Sequence, residues 1–223
     1  MKKPVITKDC VKTLLETKYL KVYDLQYEEG RHYYDATRRE ADRLTALKSD
    51  EEFRTMQPDA VNCCVVVRTP GEEPRLLLSY EYRYPCGRYL LSPPAGLIDP
   101  EDRDREDALI RTAIREIREE TGLKVKTTDR VYVASPCVFS SPGMTDESNA
   151  IVCAIVDAED LSTLSQEGAV GTESFDGFLL ATKQEAEVIL RSGRDPQGFF
   201  YSAYTWIVLA WFAGGFWDEP QKG

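Results

Sequence analysis

Arg115–Glu116–Ile117–Arg118–Glu119–Glu120–Thr121–Gly122–Leu123 (REIREETGL) closes a helical repeat that runs from about Asp104 to Thr121 and stops at Gly122, a residue suited to a left-handed cap. At 3.6 residues per turn, Leu109, Ile110, Ala113, Ile114 and Ile117 form one apolar stripe. Glu116 lies three residues from Glu119 and four from Glu120, so the three carboxylates crowd together. Their arc abuts the apolar stripe, which predicts partial burial. Glu101, Asp102, Asp104, Glu106 and Asp107 fall in the expected first turn, where the helix dipole favours negative charge. Glu119 and Glu120 fall at the end that disfavours it. Like charges roughly 6 Å apart repel by about 3 kcal/mol at an effective dielectric near 20, whereas helix propensity returns tenths of a kcal/mol per residue. A divalent cation would resolve the conflict, and an all-oxygen donor set suits magnesium or manganese. The wheel also leaves open a solvated acidic helix end, partly neutralised by Arg115 and Arg118.

The rest of the composition narrows the partners. Of 223 residues 42% are apolar, enough for a core without staples, and the net charge of −10 argues against a nucleic-acid partner. A small phosphorylated substrate stays open, because bound cations reverse the local sign. The cysteines Cys10, Cys63, Cys64, Cys86, Cys137 and Cys153 form no CxxC pair, and His32 is the single histidine, so a zinc site is disfavoured. Adjacent Cys63 and Cys64 would face opposite sides of a strand. Reduced thiols fit a cytoplasmic protein. Polar sequence follows Met1–Pro4, and the apolar run from Trp206 to Trp217 is too short to span a bilayer, so neither a signal peptide nor a membrane partner is expected.

Working outward, Tyr19–Tyr27 and Arg31–Arg38 flank Glu28–Glu29–Gly30 as a hairpin, and Glu40–Pro58 reads as a polar linker with one helical turn. Ala60–Arg68 (AVNCCVVVR) is a strand turned by Thr69–Pro70–Gly71 into Arg75–Tyr82. Leu90–Leu91 leads into Pro93–Pro94–Ala95–Gly96, a loop by composition. Further strands are expected at Val131–Ala134, Ala150–Val156 and Phe175–Leu180, with helices at Thr182–Arg191 and Phe200–Ala213. The absence of regular βα alternation favours an α+β fold, a mixed sheet between helices. The expected organisation is a β-rich region with its linker (1–58), a main domain (59–218) and a tail (219–223).

REIREETGL is similar to the core of the Nudix box, R-E-U-x-E-E-x-G-U, at every defined position, and Gly96 in Pro94–Ala95–Gly96–Leu97–Ile98–Asp99 (PAGLID) resembles its opening glycine. The spacing between them is longer than the usual pattern, through an extended loop around Pro100–Arg105, and Asp107 replaces the box's first glutamate. Tyr82–Arg83–Tyr84–Pro85, Ser141–Pro142–Gly143–Met144–Thr145–Asp146–Glu147, and Tyr34–Asp35 with Arg38–Arg39 resemble motifs of the ADP-ribose and ADP-sugar pyrophosphatase branch. Ser92 departs from that branch, which commonly has a glutamate four residues before the box glycine.

The resemblance implies a Nudix α/β/α sandwich with an N-terminal β-hairpin region. It also implies Mg2+-dependent (or Mn2+-dependent) hydrolysis of ADP-ribose or a related ADP-sugar to AMP and a sugar phosphate. Glu116, Glu119, Glu120 and the Ala95 carbonyl would hold the metal; Glu116, Glu119, Glu120, Arg115 and Glu147 would carry the chemistry. Tyr34, Arg39, Arg83 and Ala95 would bind substrate, and the N-terminal strands would complete the partner's site in a homodimer. GDP-mannose or another nucleotide sugar is the alternative substrate, and a non-catalytic ADP-ribose sensor the alternative class. Taken singly, Arg83 also reads as a surface ion pair, and Tyr34 as a cross-strand packing residue.

Overall fold

Three strands open the chain in a computed structural model that describes residues 4–168 and 171–219. Apart from Glu219, the expected tail lies outside the described residues. The chain forms two compact units: the chain up to Asp59 together with Cys137–Asn149, and Ala60–Pro136 together with the chain from Ala150 onward.

In the first unit, β1 (Val11–Glu16), β2 (Lys21–Glu28) and β3 (Arg31–Thr37) make an antiparallel sheet in that order. Gly30, at φ 69°, turns β2 into β3, as the hairpin reading expects. Strand β1 was not expected. Exposed along almost its whole length, it carries no inside–outside alternation to read. Tyr23 and Leu25 pack with Leu44 as a small core. The polar stretch is better ordered than a linker: it holds a 3-10 turn (Thr45–Leu47) and α1 (Asp50–Arg54), whose Ser49 and Glu52 form a reciprocal capping box.

The second unit is built on β4 (Ala60–Arg68), β5 (Arg75–Arg83), β6 (Arg88–Ser92), β7 (Ala95–Leu97), α2 (Ala108–Thr121), β8 (Arg130–Phe139), β9 (Ser148–Asp157), β10 (Phe175–Ala181), α3 (Lys183–Ser192) and α4 (Ala203–Ala213). The sheet order is β10-β5-β4-β9-β8, with β6 against β5 and β7 against β4. Strand alternation splits its side chains between two cores. Val61, Cys63, Val65 and Val67 pack with Ala113 and Ile117 of α2, while Cys64 and Val66 pack with Ile189 of α3 and Val208, Leu209 and Phe212 of α4. Cys63 and Cys64 thus face opposite sides as expected, and helices cover both faces of an α+β layering. All six cysteines are free.

Two elements of this second unit also differ from the sequence reading. The box helix starts at Ala108, so its first turn holds no acid. Ion pairs occupy the preceding acids: Asp102 takes Arg111 at 3.1 Å, and Asp107 takes Arg105 at 2.8 Å. These local bonds, with turns closed by Asp99 and Asp102 carbonyls, compete with helix formation. Ala95–Leu97 is a strand because it finds a partner in Ala60–Asn62, which composition cannot disclose.

Helix α2 ends at Gly122, at φ 72°, where a Cβ would lie 2.7 Å from the Thr163 carbonyl oxygen. Gly122→Ala should therefore cost roughly 2–3 kcal/mol, lowering the melting temperature by roughly 4–12 °C. An unchanged melt would contradict this account of the cap.

Candidate active site

Helical spacing stacks Glu116 and Glu120 one turn apart, beside the Ala113–Ile117 stripe that anchors α2 to the sheet. Both are buried, at 6% and 3% exposure. Gly96 makes this possible: a Cβ there would lie 1.7 Å from Glu116 Oε1, so a side chain would displace the carboxylate. The Ala95 N–H donates to Glu120 Oε1 at 3.2 Å. Strand β7 therefore supplies both the space and a donor.

The cost of this burial appears in the proton affinities. Burial pushes Glu116 up to about 7; Arg115 opposes the shift, and Glu119 and Glu173 add to it. Burial pushes Glu120 up to about 9 against the Ala95 hydrogen bond, with Glu81, Glu116 and Glu173 repelling its charge. Glu119 is less enclosed and pairs with Arg115 at 3.2 Å and Arg118 at 3.8 Å. Arg115 is the hub: Nη1 also meets Glu116 at 2.8 Å, Nε meets Asp99 at 3.2 Å, and Nη2 donates to the Leu97 carbonyl at 2.9 Å. With its guanidinium between Glu116 and Glu119, no three acidic, histidine or cysteine side chains among the described residues stand in metal-binding geometry. Donor type and buried negative charge nevertheless fit a hard divalent cation, for which Glu116, Glu119 and Glu120 offer oxygens only.

Two further carboxylates were not singled out in the sequence. Glu81, on β5, pairs with Arg83 at 2.5 Å and adds to the negative potential at Glu120. Glu173 adds to it at Glu81, Glu116 and Glu120 alike. Its loop is pinned by the aromatic strand ends: Tyr82 N–H donates to the Ser174 carbonyl, Tyr84 Oη to the Thr172 carbonyl, and Tyr89 Oη bonds Ser174 Oγ. An acid in the otherwise apolar Tyr80–Tyr82 run was a readable signal for Glu81. Gly171–Ser174 offered none for Glu173.

The remaining expected residues lie in the first unit. Asp146 organises their loop: its carboxylate accepts from Thr37 Oγ1 at 2.6 Å, Arg39 Nη1 at 3.0 Å and the Thr45 N–H at 2.9 Å. Arg39 also reaches Asp59 at 2.7 Å and keeps only 12% side-chain exposure. Its Nη1 and Nη2 donors are thus engaged by Asp146 and Asp59, and Arg39 braces the loop. Asp35, pushed up to about 6 by burial and by Asp146, accepts the Asp146 N–H. Glu147 pairs with Arg38 at 2.9 Å. Tyr34, 57% exposed, lines a cleft of about 270 Å³ with Tyr33, Phe53, Phe139, Pro142 and Met144.

A helix bearing REIREETGL against a glycine-opened strand, on a sheet covered on both faces, defines the Nudix class. The chain belongs to that family, whose NUDIX domain description matches residues 56–176. It is similar to a protein of Caenorhabditis elegans named as a nudix hydrolase, 37% identical over 101 residues, covering 45% of this chain and 41% of the relative. It is also similar to the ADP-sugar pyrophosphatase of Mus musculus, 29% identical over 117 residues, covering 52% and 50%. The chain thus spans half or less of these relatives. A solved structure of an ADP compounds hydrolase shares the fold at a TM-score of 0.58 over 97% of this chain and 95% of its own, with 20% identity.

Glu120 provides a direct check on the electrostatics. Its native pKa of about 9 lies above its ordinary value of 4.5, so across that window the native chain holds a proton that the unfolded chain releases. Stability must fall as pH rises through the window. Glu120→Gln keeps an acceptor for the Ala95 N–H without the charge. In chelator at pH 8 it should stabilise the protein by roughly 1–3 kcal/mol and flatten the pH dependence of melting. A lower melting temperature than wild type would contradict the reading.

Proposed function

We propose that the protein is a Mg2+-dependent pyrophosphohydrolase that splits ADP-ribose or a related ADP-sugar into AMP and a sugar phosphate. The observation that carries this reading is the buried Glu116–Glu120 pair seated on Ala95–Gly96, an arrangement that costs stability without a cation. Glu116, Glu119 and Glu120, with the Ala95 carbonyl, would hold the metal. When bound, it neutralises the pyrophosphate and lowers the pKa of water; Mn2+ has the same donor preference.

The chain's own residues do the rest. Arg115, bonded to Glu116, Glu119 and the Leu97 carbonyl, keeps the box carboxylates in place. Arg83 grips a phosphate oxygen through its guanidinium fork. Glu147 takes the proton from the attacking water as the new P–O bond forms and the bridging P–O bond breaks. Glu173 is the second candidate for that proton, because its charge is felt at Glu81, Glu116 and Glu120. Tyr34 stacks on the base, its exposed ring supporting this role. ADP-ribose as the leading sugar rests on the YRYP, PAGLID and SPGMTDE motifs, and the mouse relative's name supports an ADP-sugar. Retention of every carboxylate in the box core favours an enzyme over a sensor.

The same reading includes a homodimer in which the N-terminal strands serve the partner's site. Leu14, Leu15, Tyr19, Tyr33 and Tyr34 are exposed apolar side chains on or beside the small sheet, which supports a docking role. Free thiols support placement in the cytoplasm, and no described helix is long and apolar enough to cross a membrane.

A panel of nucleotide sugars with Mg2+ tests the proposal. ADP-ribose or another ADP-sugar should release AMP fastest; a GDP-sugar turned over faster would replace the substrate. Glu116→Gln and Glu120→Gln should each lower turnover by at least about a hundredfold with the fold intact, and activity within a few-fold of wild type would sink the metal site. Of Glu147→Gln and Glu173→Gln, the one that removes the proton acceptor should lower kcat with substrate affinity nearly unchanged. Tyr34→Ala should raise KM by roughly 5- to 150-fold. Light scattering should report a dimer, whereas a fully active monomer would exclude a shared site.

A further inference from the structure

We infer that Glu81 is the positioning residue for Arg83, anchoring one edge of its guanidinium so that the other edge is presented to a phosphate of the substrate. The inference rests on the pyrophosphatase reading above and adds to it a residue that no box or flanking motif assigns.

Alternation along β5 decides which face these side chains share. Leu77 packs into the core that contains Ala113 and Ile117 of α2, while Leu76, Leu78 and Tyr80 pack into the core on the other face. Glu81 and Arg83 follow the parity of Leu77, the face that carries the box helix. Glu81 Oε2 meets Arg83 Nη2 at 2.5 Å, with side-chain exposures of 14% and 44%. The acid is therefore the fixed member and the arginine the accessible one. One guanidinium nitrogen is engaged, while the group has five donors in a planar fork.

The surroundings leave Glu81 few other tasks. Its register neighbours are Leu90 on β6 and Phe175 on β10, neither a cation. Arg83 stands opposite Arg88, a like charge, but Arg88 donates to the Cys86 carbonyl and stacks over the Phe199 ring. Glu81 thus holds Arg83 without drawing in Arg88. An acid here gains nothing for stability. It is mostly buried, its burial raises its proton affinity, and Glu120 and Glu173 repel its charge. A half-exposed ion pair returns little stability, and a neutral or apolar residue would avoid the repulsion. Aiming Arg83 accounts for an acid that stability would not select.

The test compares wild type with E81Q, E81L, R83A and the E81L/R83A double variant, using steady-state kinetics on ADP-ribose with Mg2+ and calorimetric affinity for ADP. Each protein is melted first to establish that it is folded. R83A and E81L should both raise KM and the ADP dissociation constant by about tenfold, the scale of one charge-assisted hydrogen bond, with kcat within about threefold. E81Q should stay within about threefold of wild type, because its amide oxygen still accepts from Arg83. The double variant should match R83A, since Glu81 acts through Arg83 alone. Additive losses in the double variant, an E81Q as impaired as E81L, an E81L that lowers kcat with KM unmoved, or an R83A with wild-type affinity would each overturn the assignment. If the ordering holds in ADP affinity but ADP-ribose is not hydrolysed, the positioning role stands and the substrate reading falls.

Discussion

The candidate site of the second unit depends on one costly contact: the Glu116 and Glu120 carboxylates held out of water against the backbone of Ala95–Gly96. Nothing in a folding unit of this size requires it. The stripe of Ala113 and Ile117 docks α2 onto β4 without help from either acid. The same docking sets the helix roll, and a helix rolled to bury Ala113 and Ile117 carries positions 116 and 120 toward β7. Gly96 then decides whether the carboxylates can enter, because any side chain would take the space of Glu116 Oε1. Packing, glycine placement and charge are consequently one constraint, and the excess negative charge is what makes the site suited to a cation.

A second device holds the loop Ser141–Glu147. Asp146 gathers Thr37, Arg39 and the Thr45 N–H, while Arg39 ties it to Asp59. Here Arg39 closes the acid–base balance of Asp59 and Asp146. Asp35 is the exception, raised by burial and by Asp146, and it marks the point where that network is most sensitive to charge. The arginine in the first unit is enclosed by its acids, whereas Arg83 in the second is paired at one edge and half exposed.

Long periodic elements were legible because burial imposed the period. Ala60–Arg68 fills both cores through alternate residues, and the apolar stripe of α2 specified both its helix and its face. Strand β1 escaped because it is exposed, and β7 because three residues between prolines and a loop become a strand only when β4 supplies the partner. The helix start was misplaced because Asp102 and Asp107 bind arginines instead of capping. For the site, REIREETGL located Glu116, Glu119 and Glu120, since their spacing is itself the geometry. Arg39 could not be read as a brace from sequence, because its partners Asp59 and Asp146 are distant in the chain. Glu173 was invisible for the same reason.

Buried, proton-loving carboxylates held ready for a divalent cation must give up protons when it binds, so metal-linked proton release is the decisive measurement. Glu120 at about 9 and Glu116 at about 7 predict that Mg2+ binding at pH 7.5 displaces about one proton per site. Calorimetric Mg2+ titrations in two buffers of different ionisation enthalpy measure that number. Release of about one proton, lost in Glu120→Gln, is the expected result. Binding with no proton released would show that the carboxylates are already ionised, and the account of why they are buried there would be wrong.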